Sequence, residues 1–494
     1  MPWGFQDLES RVTPLPMASW QQPSLVRLLE KRLPDPLEVD KKSEGEMPEY
    51  LDQICHFVVE MNFVDFDTNV VEQAKKVIYD TIGAIAAGAK QKEPMELVKK
   101  LGHFSGHPSS TLIGRKKKID PLGAALINGT AGTWLELDEG NQFARGHAGI
   151  HVVPASLAFG EERGVSGKEF LTALILGYEI ACRIGIASKL RMTMHPHGSW
   201  GTVGAAVAVG KLMKLQVDQM KTLINIASSM TLATSRKTML EGGTVRNVYA
   251  GVSGYMGILA YYLLKSGFTG EADGIGSVYG GVVSDSFDPQ AMVEGLGSRY
   301  EITRNYFKQY ACCRYNHSTL DALYGVMRQQ KDGKLDPRDV ESIKVETYSL
   351  AAQLSSRNPV NMLAAKFSVP FAIATTIIHG NSGVGSFLPQ KVGQREIQEL
   401  ASRVVVEENP DFTKMMPSRR PSRVTLRLKD GKVFTETVFV SKGDIENPYS
   451  TEELETKFLD MTVPVYGREK AREILERSKK IETFTTVKKY AEGL

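Results

Sequence analysis

The sequence predicts a mainly α protein, a large all-helical domain into which a smaller α+β domain is inserted. Three observations carry this expectation. Apolar residues recur three and four apart almost continuously from 50 to 267. The texture then breaks at the glycine-rich "GFTGEADGIGSVYGGVVSDSFD", after which short alternating segments appear. The tail, "STEELETKFLDM" and "GREKAREILERSKKI", returns to helical spacing.

The elements follow in order. Residues 1–46 are rich in proline and charge and read as a disordered or loosely attached extension, with the folded part beginning near Met47. "NVVEQAKKVIYDTIGAIAAGA" has helical spacing and ends in small residues. "PLGAALINGTAGTWLELDE" is alanine- and glycine-rich, as in a helix packed close to its neighbours. "GKEFLTALILGYEIACRIGIASK" is apolar on more than one face and has to be largely buried. "GTVGAAVAVGKLMKL", "VDQMKTLINIASSMTLATS" and "AGVSGYMGILAYYLLKSG" complete the first helical part, 47–268. In 269–445, "VESIKVETYSL", "SRVVVEENP" and "SRVTLRLKDGKVFTETVFVS" alternate as strands do, the last with Asp430-Gly431 as a hairpin turn. Helices at "STLDALYGVMRQQ" and "FSVPFAIATTIIHG" lie between them. Residues 446–494 form the second helical part, opened by Ser450 and Glu453 as a capping box.

Composition narrows the function. A chain of 494 residues with 42% hydrophobic and 24% charged residues has the profile of a globular protein of more than one domain. A net charge of +3 argues against nucleic acid or a membrane surface as the main partner. The four cysteines, Cys55, Cys182, Cys312 and Cys313, form neither a CxxC nor a disulfide framework, which suits a reducing cytoplasm. No run is expected to reach the length a membrane span needs.

Four segments gather the chemistry. In "LELDEGNQFARGHAGIHVVP", Glu136, Asp138, His147 and His151 lie between apolar flanks. A solvated loop with a capping carboxylate and one wall of an active site are both open readings of it. His147 and His151 are four apart, but HExxH is absent and no third ligand is evident, so no metal is expected. In "MTMHPHGSWGTVGAAVAVG", His195 and His197 precede a small-residue helix whose free N–H groups suit an anion. In "KTMLEGGTVRNVYAGVSGYMG", Lys237 and Arg246 can each bind a carboxylate, or can be ordinary surface charges. In "YACCRYNHSTLDAL", Arg314 and His317 precede a helix, and the adjacent cysteines read as buried small hydrophobes. No GxSxG elbow, Walker loop or Rossmann loop is present. Histidines and cations with two carboxylates suit proton transfer beside the carboxylates of a small organic acid.

These segments, with "DTIGAIAAGA", "LELDE", "GYEIACRIG", "SGFTG", "EGLGSRY", "AKFSVPFAIA" and "ENPYSTEELETKF" in that order, resemble the MmgE/PrpD family over roughly residues 50–485. That family includes 2-methylcitrate dehydratase, cis-aconitate decarboxylase and iminodisuccinate epimerase. The resemblance implies a helical domain, a smaller α+β lid, a homodimer, a site in the interdomain cleft, and no metal or organic cofactor. By local match it carries over an acidic motif at Glu136 to Asp138 and histidines at His147, His195 and His317. The sequence departs from the pattern at three places. Arg246 stands where decarboxylase and dehydratase members carry lysine, Tyr249 where they carry histidine, and Asp138-Glu139 where they carry a pair of aspartates. An arginine holds a carboxylate but does not readily give up a proton, so the departure tells against cis-aconitate and methylcitrate themselves.

The expectation is therefore a cofactor-independent lyase, dehydratase-like, that removes a proton α to a carboxylate of a small di- or tricarboxylic acid. An epimerase, a decarboxylase and a non-catalytic carboxylate binder are the alternatives. His147 or His195 is the expected base, His317 the expected acid, and Asp138 joins them as a catalytic residue. Glu136, His151, Lys237, Arg246, Tyr249 and Arg314 are expected to bind substrate.

Overall fold

The computed structural model describes residues 48–102, 106–330 and 333–494. The expectation for residues 1–46 lies outside them. Helices dominate, and the sheets are few and small, as the periodicity predicts.

The first part is a helical assembly. Its main members are α1 (Glu49–Glu60), α2 (Thr68–Ala89), α3 (Pro121–Thr133), α4 (Gly149–Arg163), α5 (Gly167–Ala187), α6 (Gly201–Leu212), α7 (Val217–Ser229) and α8 (Tyr249–Lys265). Asp120 caps α3 by accepting from the Gly123 N–H at 2.9 Å, with Pro121 in the first turn. Ser166 and Glu169 form a capping box at the start of α5. Helix α5 is long and apolar enough to cross a membrane, contrary to the expectation that no run would be, yet 94% of its apolar window is buried inside the chain. It is the core helix of this part.

Small residues let these helices approach closely. A Cβ on Gly251 of α8 would stand 2.1 Å from the Leu126 carbonyl oxygen of α3, which belongs to backbone and cannot turn aside. Gly251→Ala is therefore expected to cost about 1–3 kcal/mol of stability by overpacking. An unchanged melting temperature would show that the two helices are free to separate.

The second part carries a four-stranded sheet: β1 (Val340–Thr347), β2 (Val404–Glu408), β3 (Ser422–Leu428) and β4 (Val433–Val438). The order is β4-β3-β1-β2, with β1 and β2 parallel and the other pairs antiparallel. Strands β3 and β4 form the expected hairpin, with Gly431 at φ 87° in its turn. On β3 the buried residues alternate with the rest, so one face meets helix α9 (His317–Arg328), while helix α10 (Val369–His379) packs against β2. Finally α11 (Thr451–Tyr466) and α12 (Arg468–Lys479) return to the first part. Leu454, Phe458, Ile474 and Leu475 join the hydrophobic cluster formed by α1 to α8. The Ser450–Glu453 capping box opens α11 as expected.

Two large clusters thus form, one mostly of residues 50–307 with the C-terminal helices, the other mostly of residues 310–438. Residues 47–494 make one compact unit all the same. The long helical stretch read from 50 to 267 is interrupted after α3, before α6 and before α8. Those interruptions supply the site.

Candidate active site

A cavity opens where these interruptions meet the second cluster. Counting its mouth and the solvent it opens to, it holds about 470 Å³ of empty space. From the first part it is lined by Glu136, Arg145, His147, His195, His197, Arg236 and Arg246. Tyr306, Arg314, Tyr315, Phe367 and Arg420 face them.

The chain is shaped to bring these groups in. After α3 ends, Trp134, Leu135 and Leu137 turn into the second cluster, while Glu136 and Asp138 meet buried cations. Glu136 takes a left-handed backbone, φ 56°, and so does Arg145, φ 57°. Side chains rarely adopt that conformation, and strain of this kind concentrates at functional sites. Gly201, at the head of α6, leaves room for His151, whose Cγ would lie 2.4 Å from any Cβ there.

Charge is paired in layers behind the cavity. Arg246 Nη1 binds Glu136 Oε1. Lys308 is fully buried, and its ammonium donates to Glu136 Oε2 at 3.2 Å and Asp138 Oδ1 at 3.0 Å. Burial alone would raise the Glu136 carboxyl, but Arg246 and Lys308 outweigh it and hold it low. At Asp138 burial is likewise outweighed by Lys308 and His147, which hold the carboxyl below the usual carboxylate range. The Lys308 ammonium is disfavoured by burial, yet Asp138 and Glu136 keep it charged. Next to this network, burial pushes the Glu139 carboxyl up to about 8. It accepts from the Gly149 N–H at 2.7 Å and from the Tyr178 hydroxyl at 2.9 Å, so it ties the start of α4 to α5.

The histidines differ in what their ring nitrogens can do. His147 Nδ1 lies 2.6 Å from the Glu139 carbonyl, and since a carbonyl only accepts, this nitrogen carries the proton in the neutral ring. Nε2 is then the basic nitrogen. The Asp138 carboxylate stands 3.1 Å from Nδ1, placed to stabilise the imidazolium once Nε2 takes a proton. His195 meets two donors, the His197 N–H at 3.1 Å on Nδ1 and Arg246 Nε at 3.3 Å on Nε2. A neutral ring has one acceptor, so these alternate. Burial and then Arg246 keep the charged form of His195 unfavourable, and the same holds for His197. The geometry, with the Asp138 carboxylate beside Nδ1, places His147 as the base.

Several expected residues take other places. His317 is buried outside the cavity; it accepts from Arg314 Nη1 at 3.0 Å, and its Nε2 lies 3.3 Å from the Cys312 carbonyl. Burial, reinforced by Arg314, keeps it neutral, so the protonated acid assigned to it has neither charge nor access. Its effect is to hold Arg314, which Asp444 also pairs at 2.5 Å. His151 is likewise behind the wall, with Nδ1 on the His147 carbonyl at 2.5 Å and burial lowering it to about 4. It positions His147 rather than touching substrate. Tyr249 packs its ring 6.0 Å from that of His195 and does not line the cavity. Lys237 is exposed, pairs with Glu241 at 3.1 Å, and lies outside the cavity. Lysine on a short surface helix keeps its hydration, which sequence spacing does not reveal.

Sequence reasoning missed Lys308, Tyr306, Arg145, Arg236 and Arg420. Lys308, in "NYFKQYACC", left a trace as one lysine among apolar residues. Arg420, in "SRRPSR", stands just before the strand read from Ser422 and carries no signature of its own. It reaches the cavity with its guanidinium 5.3 Å from the Tyr306 ring and 5.6 Å from that of Tyr315. Among the described residues, one group could hold a metal ion: Asp138, His147 and His197, with ligand atoms within 4.8 Å of one another. His147 is thus joined by Asp138 of its own segment and His197 of another, with His151 left out.

The comparisons with known proteins agree with the fold and the segments. The model of the MmgE/PrpD N-terminal domain matches residues 52–290, and that of the MmgE/PrpD C-terminal domain matches residues 310–482. A cis-aconitate decarboxylase of Aspergillus terreus (strain NIH 2624 / FGSC A1156) is 24% identical over 461 residues, covering 88% of this chain and 94% of the relative. The cis-aconitate decarboxylase of Homo sapiens is 25% identical over 408 residues, 79% of this chain and 82% of its own. The cis-aconitate decarboxylase-like protein oryM of Aspergillus oryzae (strain ATCC 42149 / RIB 40) is 22% identical over 463 residues, 88% and 95%. With both domain models matched over most of its length, the chain belongs to the MmgE/PrpD family.

Proposed function

We propose that the protein is a lyase acting on a small di- or tricarboxylate, with its own side chains carrying the proton transfers. One observation carries this reading. The cavity is lined by five arginines and one carboxylate. Among the five, Arg236 Nε and Arg420 Nε and Nη1 are buried without a hydrogen-bond partner. Buried guanidinium donors left open are costly unless an anion fills them, and their planar forks match carboxylates.

In this reading Arg236, Arg314 and Arg420 hold the carboxylates of the acid, and Arg246 steadies charge that develops beside Glu136. His147 Nε2 exchanges a proton with the carbon α to a carboxylate. Loss of CO₂ breaks a carbon–carbon bond, leaves an electron pair on carbon, and needs a proton there. Loss of water removes the α proton and needs a proton on the departing hydroxyl. Tyr306, whose phenol burial keeps protonated, is the second proton-bearing group at the wall. Acid–base help of this kind is worth ~10²–10⁴-fold. The names of the relatives favour loss of CO₂, whereas the sequence alone put loss of water first. Arg246 in place of lysine points to an acid other than cis-aconitate. The sheet-bearing part acts as a lid over the helical part, since it supplies Arg314 and Arg420 from the opposite side. A homodimer and a cytoplasmic location complete the proposal. Light scattering at the chain mass of 54.5 kDa would remove the dimer.

Incubating the protein with a panel of di- and tricarboxylates under proton NMR tests the reading. One acid is expected to lose CO₂ or water. Epimerisation alone would make the protein an isomerase. Binding with neither turnover nor α-proton exchange in D₂O would make it a carboxylate binder.

A further inference from the structure

We propose that Asp138, His147 and His197 form an inhibitory site for a divalent metal ion of zinc's chemistry. The proposal rests, for its inhibitory effect alone, on His147 being the base.

The donor set is one carboxylate and two imidazoles, which suits zinc and its first-row neighbours rather than magnesium or calcium. The three ligand atoms lie within 4.8 Å of one another. Tetrahedral bonds of about 2.0–2.2 Å place ligand atoms about 3.3 Å apart, and Asp138 Oδ2 and His147 Nδ1 already stand 3.1 Å apart; metal on that nitrogen moves the ring proton to Nε2 and displaces its 2.6 Å contact with the Glu139 carbonyl. The second observation is independent of that spacing. His197 Nδ1 is buried without a hydrogen-bond partner, in a residue 2% exposed. Buried polar atoms in native proteins are nearly always satisfied, so an open ring nitrogen in this group marks a place for a ligand. His147 and His197 line the cavity, which leaves an open coordination position for water and a path for the ion.

The surroundings set its strength. Lys308 stands 3.0 Å from Asp138 Oδ1, and Arg246 Nη2 3.4 Å from His197 Nε2. A metal on His197 Nδ1 places the ring proton on Nε2 and ends that long contact with Arg246. Two cations beside the site and the open position make the ion removable by chelator, unlike a closed structural zinc. Inhibition follows from the ring itself. A neutral imidazole has one lone pair, so metal on either nitrogen of His147 leaves the other protonated and no base remains.

The experiment is titration of the full chain, freed of metal by chelator, with Zn²⁺ by calorimetry, and with Co²⁺ followed by its visible absorption. The expected result is one ion per chain at this site, with tetrahedral-type cobalt absorption. His197→Gln and Asp138→Asn are each expected to weaken it tenfold or more. Asp138→Asn disturbs a buried ion pair, so His197→Gln decides if that variant does not fold. His56, exposed between Asp52 and Glu60, is the rival surface site, and His56→Gln is expected to leave the binding unchanged. Turnover of the acid found by the panel is expected to fall along the same Zn²⁺ binding curve and return with chelator. Absence of a bound ion, or binding that survives His197→Gln, overturns the site. Zinc binding at these residues in a protein inert to every acid leaves the site standing and removes the lyase reading. Turnover without zinc binding does the reverse.

Discussion

His147→Gln is expected to lower turnover by ~10²-fold or more while the protein stays folded. The ring is at the wall of the cavity, with its side chain 12% exposed, so its removal opens no core. Glutamine can still donate to the Glu139 carbonyl, but it has no nitrogen that accepts and releases a proton. His151→Gln is expected to behave differently. That ring is buried, with its proton on the His147 carbonyl and its face against Trp200 and His197. The change should lower stability and disturb catalysis only through the placement of His147. Steady-state kinetics on the acid from the panel, with melting curves for both variants, separate the two. A His147→Gln protein with a nearly normal rate and an unchanged pH profile would move the base to His195.

Lys308→Met is expected to cost about 3–5 kcal/mol, the scale for removing one partner from a buried ion network. Glu136 would keep Arg246 and Asp138 would keep His147, but both carboxylate–ammonium contacts are lost, leaving one guanidinium pair and one histidine contact. The pH dependence carries the sign. In the wild type Asp138 is held below the ordinary carboxylate range, chiefly by Lys308 against the effect of burial. Its contribution is therefore fully present above the unfolded value of ~3.9 and lost as pH falls through the lower folded value. The gap between wild type and Lys308→Met should be widest near neutrality and narrow in acid, where the variant's carboxyl takes a proton. Denaturant titrations at several pH values measure it. A variant as stable as the wild type at neutral pH would show that Lys308 does not stabilise the acidic loop.

The legible part of the site was the part with a local signature. Glu136, Asp138, His147, His195 and Arg246 each stand in a short segment where polar groups interrupt apolar helices, and the structure gathers all five at or just behind one cavity. Lys237 and His317 had the same kind of signature and went elsewhere. One keeps its water on an exposed turn, and the other sits behind Arg314 with both ring nitrogens engaged. Local composition marks where a polar group is unusual and leaves open which side of the wall it faces.

The sequence by itself determined the family, the order of helical and strand segments, the capping box at Ser450 and the hairpin at Gly431. Each of these depends on neighbours within a few residues, through period, capping and turn conformation. The tertiary structure alone decided the charge arrangement. Arg420 meets Tyr306 and Tyr315 from more than a hundred residues away, and Lys308 reaches back some 170 residues to Glu136 and Asp138. It also placed α5, long and apolar enough to cross a membrane, inside the core of the chain. A buried charge is governed by the partners the fold brings within about 3 Å, and the distance between them along the chain carries no trace of that meeting.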